Sequence, residues 1–102
     1  MQALDGLQPA FEHRVRLAIG VLLAGHGEIS FARFKQELRL TDGNLGAQLR
    51  RLEDAGYIAL RRDFVDRKPV TWYSLTKPGR LALNQHLHAL QSMISAATST
   101  RA

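Results

Sequence analysis

The 102-residue sequence contains no cysteine, and this absence excludes several kinds of chemistry at once. A chain without thiols has no disulfide scaffold, no thiolate zinc site, no thiol catalysis and no cysteine redox sensor. The sequence also lacks any apolar run near the roughly 18 residues that a membrane-spanning helix needs. Its first seven residues include Asp5 and no basic residue, which is unlike a secretory signal peptide. We therefore expect a cytoplasmic protein that has no part in a membrane.

Acidic residues are few, and the excess of positive charge comes mainly from arginine. Nine acidic residues stand against 14 basic ones, 11 of which are arginine, so the formal net charge is +5. The planar guanidinium of arginine suits two-pronged contacts with phosphates and with the edge of guanine. Hydrophobic residues make up 45% of the chain, which is enough for one core in a single domain spanning residues 1–102. Net charge alone also fits a solvated basic surface. The positions of the arginines along the chain are therefore needed to distinguish such a surface from a nucleic-acid-binding site.

The spacing of apolar residues predicts a first helix over residues 9–24. Pro9 suits the first helical position, and the apolar residues after it repeat on one helical face. Gly25 and Gly27 are expected to end this helix, because glycine readily adopts the left-handed conformation found at helix ends. The residues that follow, 28–30, suffice only for a short strand.

Two further helices are predicted, joined by a tight turn. Ser30 is a suitable N-cap for the first of them, and Thr41 is a suitable N-cap for the second, over residues 42–55. Gly56 follows in the position of a left-handed cap. The helix at 42–55 carries one apolar stripe with helical spacing: Leu45, Leu49 and Leu52.

The pattern then changes to that of a β-hairpin followed by a long helix. Alternating residues predict two strands on either side of a charged turn at residues 66–69. The last helix is expected over residues 78–95, with Pro78 in its first turn and residues 96–102 as a frayed tail. One face of this helix is marked by four apolar residues: Leu83, Leu87, Leu90 and Ile94.

Two short helices with a tight turn, followed directly by a basic hairpin, have the layout of a winged helix-turn-helix. The predicted fold class is α+β and mostly α. We expect the helix at 42–55 to enter the DNA major groove, because the side opposite its leucines carries small residues and arginines. Asn44 can reach a base edge there, with adenine as the best fit. The predicted DNA contacts on this helix and on the hairpin are Thr41, Gly43, Asn44, Ala47, Gln48, Arg50, Arg51, Arg61, Arg62, Arg67 and Lys68.

Three motifs resemble the winged helix transcription regulators of the MarR type, in particular their compact members. The matching residues are Leu52-Glu53-Asp54-Ala55-Gly56-Tyr57-Ile58, Asp66-Arg67, and Leu75-Thr76 with Gly79-Arg80. The resemblance implies a homodimeric DNA-binding regulator whose terminal helices form the dimer interface. It also implies that the hairpin at 61–70 is a wing whose Arg67 enters the minor groove. The family usually has serine or threonine where this chain has Gly46, so that base contact is not transferred.

The last helix is apolar on more than one face, which one small core does not cover. A second copy of the chain can cover it, so residues 9–24 and 78–95 are expected to be dimerisation helices. A twofold dimer places its two recognition helices about one DNA turn apart on a pseudo-palindromic operator. The sequence thus predicts a regulator that binds double-stranded DNA sequence-specifically, as a homodimeric repressor. The predicted dimer contacts are Phe11, Val15, Leu83, His86, Leu87, Leu90, Met93 and Ile94.

Enzymatic, metal-dependent and docking functions have weaker support in the sequence. Glu53 and Asp54 are adjacent on a helix and diverge, so they do not form a catalytic carboxylate pair. His86 and His88 diverge as well, and their helix has no acidic residue to complete a metal site, so we expect no cofactor. They are expected at the surface or in the dimer interface. The short terminal helices give no support for a small-molecule effector.

The alternative function is that of a winged-helix protein-interaction module without a DNA target. Such a module does not need arginines on both the helix and the hairpin, so the arginines favour DNA binding.

Overall fold

The computed structural model describes residues 1–99, which form four α-helices and three β-strands. The helices are α1 (Arg14–His26), α2 (Phe31–Leu38), α3 (Asp42–Asp54) and α4 (Lys77–Ser99), and the strands are β1 (Glu28–Ser30), β2 (Ile58–Val65) and β3 (Lys68–Leu75). Two 3₁₀ segments, Gln2–Gly6 and Pro9–Phe11, precede α1. The predicted order of helices, short strand, hairpin and final helix is confirmed.

The first predicted helix is divided near its start. Residues Pro9–Phe11 form a 3₁₀ turn and α1 begins only at Arg14, so the prediction of one continuous helix over 9–24 was wrong. The cause is His13, whose backbone is extended and whose Nδ1 accepts a hydrogen bond from the N–H of Val15 at 3.1 Å. His13 is therefore the N-cap residue of α1. Gly27, with a φ of 83°, ends the helix as expected, but Gly25 lies inside it, because α1 continues past the predicted end at residue 24 to His26.

Side-chain caps set the starts of α2 and α3 as predicted. Ser30 Oγ accepts a hydrogen bond from the N–H of Arg33 at 3.2 Å, and Thr41 Oγ1 accepts one from the N–H of Asn44 at 3.1 Å. Arg39 closes α2 in the left-handed conformation, which produces the tight turn between the two helices. The positions of α2 and α3 are therefore encoded locally.

The three strands form one antiparallel sheet in the order β1-β3-β2. The turn between β2 and β3 has only two residues, Asp66 and Arg67. Both have a positive φ, 51° and 67°, which is the type I′ geometry of two-residue hairpins. The turn predicted over residues 66–69 is therefore too long, because Lys68 and Pro69 already belong to β3.

The core lies between the helices and one face of the sheet. The leucine stripe of α3 is at most 2% exposed, so its prediction as core is confirmed. Phe34 of α2 packs against Tyr73 of β3 with ring centroids 6.2 Å apart, in an edge-to-face arrangement. Phe11 stacks on Tyr57, with ring centroids 5.7 Å apart, and joins the N-terminal segment to the same core. Since this packing fixes the inner side of α3, it also fixes which side faces solvent.

α4 starts as predicted but extends further than expected. The N–H of Gly79 donates to Thr76 Oγ1 at 3.0 Å in its first turn, which Pro78 also occupies. The helix continues to Ser99, so residues 96–99 are helical and not frayed, while residues 100–102 lie outside the described part of the chain. Within residues 1–99, no helix combines the length and apolarity that crossing a membrane requires.

The face of α4 that packs on the core is not the one marked by its large apolar residues. Small residues and one histidine make most of the contact, because they let the helix approach the core closely. The buried residues are Gly79, Ala82, Leu83, His86 and Ala89. Among the four predicted stripe residues only Leu83 is buried, whereas Leu87 is 37% and Ile94 is 55% exposed.

Candidate nucleic-acid interface

The outward face of α3 brings together most of the residues predicted to contact DNA. Because the leucines are buried, the residues on the opposite side of the helix are turned to solvent. The first half of this face carries small side chains, and the second half carries two arginines. The predicted residues exposed here are Thr41, Gly43, Asn44, Ala47, Arg50 and Arg51, and Gln48 is half-buried.

A hollow of about 920 Å³ lies between this face of α3 and the start of α1. Its lining includes the glycines and the alanine of α3, together with three arginines and two aspartates: Arg16, Arg50, Arg51, Asp42 and Asp54. Burial lowers the pKa of Arg16, and the positive charge of Arg51 lowers it further, so these two cations repel each other across the hollow. A phosphate placed there would relieve that repulsion. Arg16 was missed at the sequence level, because the pattern of α1 signals packing alone.

Arg16 also begins a chain of hydrogen bonds that ends at the tip of α3. Its Nε donates to the carbonyl oxygen of Ala10 at 2.6 Å, and its Nη1 donates to Gln48 Oε1 at 2.7 Å. Gln48 Nε2 in turn donates to Asn44 Oδ1 at 3.3 Å. Two predicted DNA contacts, Gln48 and Asn44, are thus connected to each other and to α1.

Three of the four predicted wing cations are available to a ligand. Arg62, Arg67 and Lys68 are exposed, and none of them forms an ion pair within residues 1–99. Arg67 occupies the second position of the type I′ turn, at the tip of the hairpin. Of these three cations, Arg67 and Lys68 lie at or beside the turn, whereas Arg62 lies further along β2.

Arg61, the fourth predicted wing cation, is held by the protein itself. It forms ion pairs with Glu28 at 2.9 Å and with Asp63 at 3.0 Å, and its guanidinium carbon lies 5.8 Å from the ring centroid of Trp72. The hydrogen bond from Arg61 is the main reason why the pKa of Glu28 lies below its usual value. The backbone N–H of Phe64, followed by Arg61, lowers the pKa of Asp63. With both carboxylates ionised, the guanidinium already has its partners, which argues against the predicted direct contact with DNA.

The eight predicted dimer contacts fall into two groups. Four are covered by the chain's own core, so they offer no surface to a second subunit: Phe11, Val15, Leu83 and His86. The other four lie along the distal half of α4: Leu87, Leu90, Met93 and Ile94. Only this second group fits an interface between two copies.

His86 lies inside the protein and not at its surface or interface, where the sequence had placed it. It is 2% exposed, and its Nδ1 accepts a hydrogen bond from the backbone N–H of Gln8 at 3.0 Å. Its ring lies 6.0 Å from that of Phe11. Burial lowers the pKa of His86, and the carboxylate of Glu12 opposes this effect. Neutral His86 therefore connects α4 to the N-terminal segment through this hydrogen bond.

No metal-binding arrangement occurs in the part of the chain that the structure describes. Within residues 1–99, no three side chains of histidine, aspartate, glutamate or cysteine are grouped so that they could hold an ion. Glu53 and Asp54, the adjacent acidic pair of α3, are both exposed.

Comparison with known proteins agrees with this geometry. Residues 15–94 match the family described as winged helix DNA-binding domain. An uncharacterized protein of Methanocaldococcus jannaschii is 31% identical over 80 residues, which are 78% of this chain and 87% of that protein. A transcriptional regulator homologue from Pyrococcus horikoshii has a similar structure, with a TM-score of 0.85, 27% identity, and coverage of 95% of this chain and 98% of that one.

The YusO protein from Bacillus subtilis shares the fold at a TM-score of 0.77 and 20% identity, covering 99% of this chain and 69% of its own. The predicted winged helix fold and the predicted function, DNA-binding transcription regulation, are confirmed by the family match and by the Pyrococcus structure. The chain belongs to the family of winged helix DNA-binding domains.

Proposed function

We propose that the protein is a cytoplasmic, homodimeric repressor that binds specific double-stranded DNA sequences and catalyses no reaction. In this proposal α3 enters the major groove and the wing reaches the minor groove. Repression follows from occlusion, because a dimer bound across an operator blocks access to the duplex it covers.

The observation that carries the proposal is the distribution of side chains on the outward face of α3. Gly43 and Ala47 have small side chains in the N-terminal half of α3, so bases can approach the helix backbone closely there. Arg50 and Arg51 follow one turn later, where they can reach the phosphates that border the groove. The N-terminal end of α3 adds a partial positive charge.

The wing supports a second, separate contact. Arg67 stands at the hairpin tip with its guanidinium free of ion pairs within residues 1–99. An arginine in that position suits a narrow minor groove, where the negative potential is strongest. The two contacts use different elements, so their losses should be distinguishable.

The distal half of α4 supports the dimer. Leu87 and Ile94 lie two helical turns apart on one side of it, with Leu90 between them. With 23 residues, the helix is about 34 Å long, and within the described part of the chain none of its residues after Ala89 is buried. A twofold pairing of these distal halves covers the apolar side and presents two α3 helices to one face of a pseudo-palindromic operator.

The DNA contact can be tested by selecting duplexes from a random pool and measuring affinity for the selected sequence at several salt concentrations. Removing a phosphate contact by Arg50→Ala or Arg51→Ala should weaken binding to every duplex and lower the salt slope by about one unit. Arg80→Ala, which removes an exposed arginine at the start of α4, is the matched control and should change the slope little. A wild-type protein that binds no duplex, even at low salt, would favour the docking module instead.

The dimer can be tested by sedimentation of two matched variants of α4. Ile94 and Leu81 are both 55% exposed, but they lie on different sides of the helix. Ile94→Glu should shift the protein to a monomer and weaken operator binding, whereas Leu81→Glu should leave the dimer intact. A wild-type protein that sediments as a monomer at micromolar concentration, with and without DNA, would contradict the proposal.

A further inference from the structure

Arg16, Gln48 and Asn44 form a chain whose hydrogen-bond polarity is fixed at one end. Arginine has only N–H donors, so the atom of Gln48 that faces Arg16 at 2.7 Å must be its amide oxygen. The amide nitrogen of Gln48 then faces Asn44 and donates, so Asn44 must turn its own oxygen inward to accept. The nitrogen of Asn44 is left pointing away from the chain.

The fixed end of this chain is itself well anchored. Arg16 is half-buried, and its Nε donates to the carbonyl oxygen of Ala10 in the 3₁₀ turn before α1. Its guanidinium therefore cannot rotate away without breaking two hydrogen bonds. Asn44, by contrast, is exposed at the entering end of α3. A half-buried residue of α1 thus determines which group an exposed residue of α3 presents.

We propose that Arg16 and Gln48 orient Asn44 so that it offers N–H donors to the major groove, which selects guanine and disfavours adenine at the base it faces. The inference rests on the proposed entry of α3 into the major groove. Guanine presents two acceptors there, N7 and O6, whereas the two-pronged contact of asparagine with adenine requires a donor and a free acceptor. Because Asn44 Oδ1 is turned towards Gln48, it is not directed at the base, and the adenine contact is impaired. This replaces adenine, the sequence-level expectation, as the preferred base.

The decisive variant is Gln48→Glu, which reverses the polarity of the chain. A carboxylate keeps the contact with Arg16 but has no donor for Asn44, so Asn44 must turn its nitrogen inward and its oxygen outward. The base opposite Asn44 should then change from guanine to one with an N–H donor in the major groove, adenine or cytosine. The expected change in the ratio of guanine to adenine affinity is about tenfold or more. Base preference is the readout, since a purely structural change would not reverse it.

Three further variants serve as controls. Gln36→Glu adds the same charge at an exposed position of α2, so it should weaken binding evenly and leave base preference unchanged. Arg16→Lys keeps a donor-only group and should retain the guanine preference, whereas Arg16→Met releases Gln48 and should bring the guanine-to-adenine ratio close to one. Thermal unfolding of each variant checks that it is folded.

The results separate this inference from the proposed function. If Asn44→Ala abolishes preference at one position of each half-site while Gln48→Glu and Arg16→Met leave guanine preferred, α3 reads DNA but the orienting chain is wrong. If Asn44→Ala changes preference at no position, Asn44 is not a reader and the inference fails. If the wild-type protein binds no duplex, the proposed function fails with it.

Discussion

Arg61 in β2 and Glu28 in β1 form a two-pronged ion pair across an intervening strand. Nε of Arg61 donates to Oε2 of Glu28 at 3.2 Å and its Nη2 donates to Oε1 at 2.9 Å, although β3 lies between the two strands. The guanidinium passes over the ring of Trp72 in β3 and also holds Asp63 through Nη1 at 3.0 Å. One arginine thus connects all three strands at the base of the wing.

The first prediction concerns the sign of a charge effect. Glu28→Gln removes a negative charge beside the proposed DNA-binding surface and breaks the ion pair with Arg61. If the released Arg61 could then contact a phosphate, DNA binding would become tighter. If Arg61 instead braces the wing, Glu28→Gln should weaken operator binding, by no more than about fivefold because the pair is exposed. The salt slope should stay unchanged. Fluorescence anisotropy titrations at several salt concentrations decide between the two, and tighter binding would show that the bracing role is wrong.

The sequence predicts those features that depend on near neighbours. The caps Ser30 and Thr41 act on N–H groups three residues ahead, and the leucines of α3 repeat within one helix, so both are visible in the linear pattern. The partners of Arg61 and Arg16 are not visible in this way. Glu28 is 33 residues away from Arg61, and Gln48 is 32 residues away from Arg16. Only the folded chain shows that Arg61 already has ion-pair partners and that Arg16 is hydrogen-bonded to Gln48.

The second prediction concerns the close approach of α4 to the end of α3. A Cβ at Gly79 would overlap the backbone of Tyr57, including its carbonyl oxygen. Gly79→Ala must therefore separate α4 from this segment, and we expect a loss of about 1–3 kcal/mol in the free energy of unfolding. Gly25→Ala is the control, because a Cβ at that helical position meets nothing within 4 Å. It should stabilise the protein by about 0.5–1 kcal/mol. Urea denaturation of both variants tests this, and equal stabilities would contradict the predicted clash.

The core-facing side of α4 was harder to predict than its position. Large apolar residues usually mark the buried side of a helix, but Leu87 and Ile94 of the predicted apolar stripe are exposed on their own chain. His86 is buried instead because its Nδ1 has a partner in the N–H of Gln8, 78 residues away in the sequence. A buried polar group is tolerated when it is hydrogen-bonded, and no local pattern reveals such a partner.

The third prediction is a pH dependence that originates at His86. Burial lowers the pKa of this residue, so on acidification below about pH 6.5 the unfolded chain takes up its proton before the folded chain does. The free energy of unfolding should therefore fall as the pH falls from about 6.5, by at most about 1.4 kcal/mol per pH unit, until the folded protein is protonated too. Protonation also removes the acceptor of the Gln8 N–H.

His86→Asn tests this origin, since asparagine keeps an acceptor near the position of Nδ1 but does not titrate. The slope of stability against pH in the acidic range should decrease in this variant. His88→Asn, at an exposed position two residues along α4, should keep the wild-type slope. Urea denaturation across the range from about pH 5 to 8 measures both. Identical slopes in wild type and His86→Asn would place the pH dependence elsewhere.

Arg67 has a backbone conformation that its side chain makes costly. A type I′ turn requires a positive φ at both central residues, which asparagine and glycine adopt most readily. Here the second position is arginine, with a φ of 67°. Strain of this kind clusters at functional sites, and the proposed minor-groove contact would give the guanidinium of Arg67 such a role. Stability and DNA binding should therefore make opposite demands on this position.

The last prediction uses that conflict. Arg67→Gly relieves the strain and should raise the free energy of unfolding by about 0.5–1 kcal/mol. The same change removes the proposed minor-groove contact, so operator affinity should fall and the salt slope should decrease by about one unit. Arg39→Gly is the matched control, because Arg39 also has a left-handed backbone, with a φ of 53°, but lies at the end of α2 and outside the proposed contacts. It should gain the same stability with little loss of affinity. Thermal unfolding and salt-dependent titration on one operator measure both quantities. If Arg67→Gly became more stable and bound DNA as tightly as the wild type, the strain at the tip would have no role in recognition, and Arg67 would not be a DNA contact.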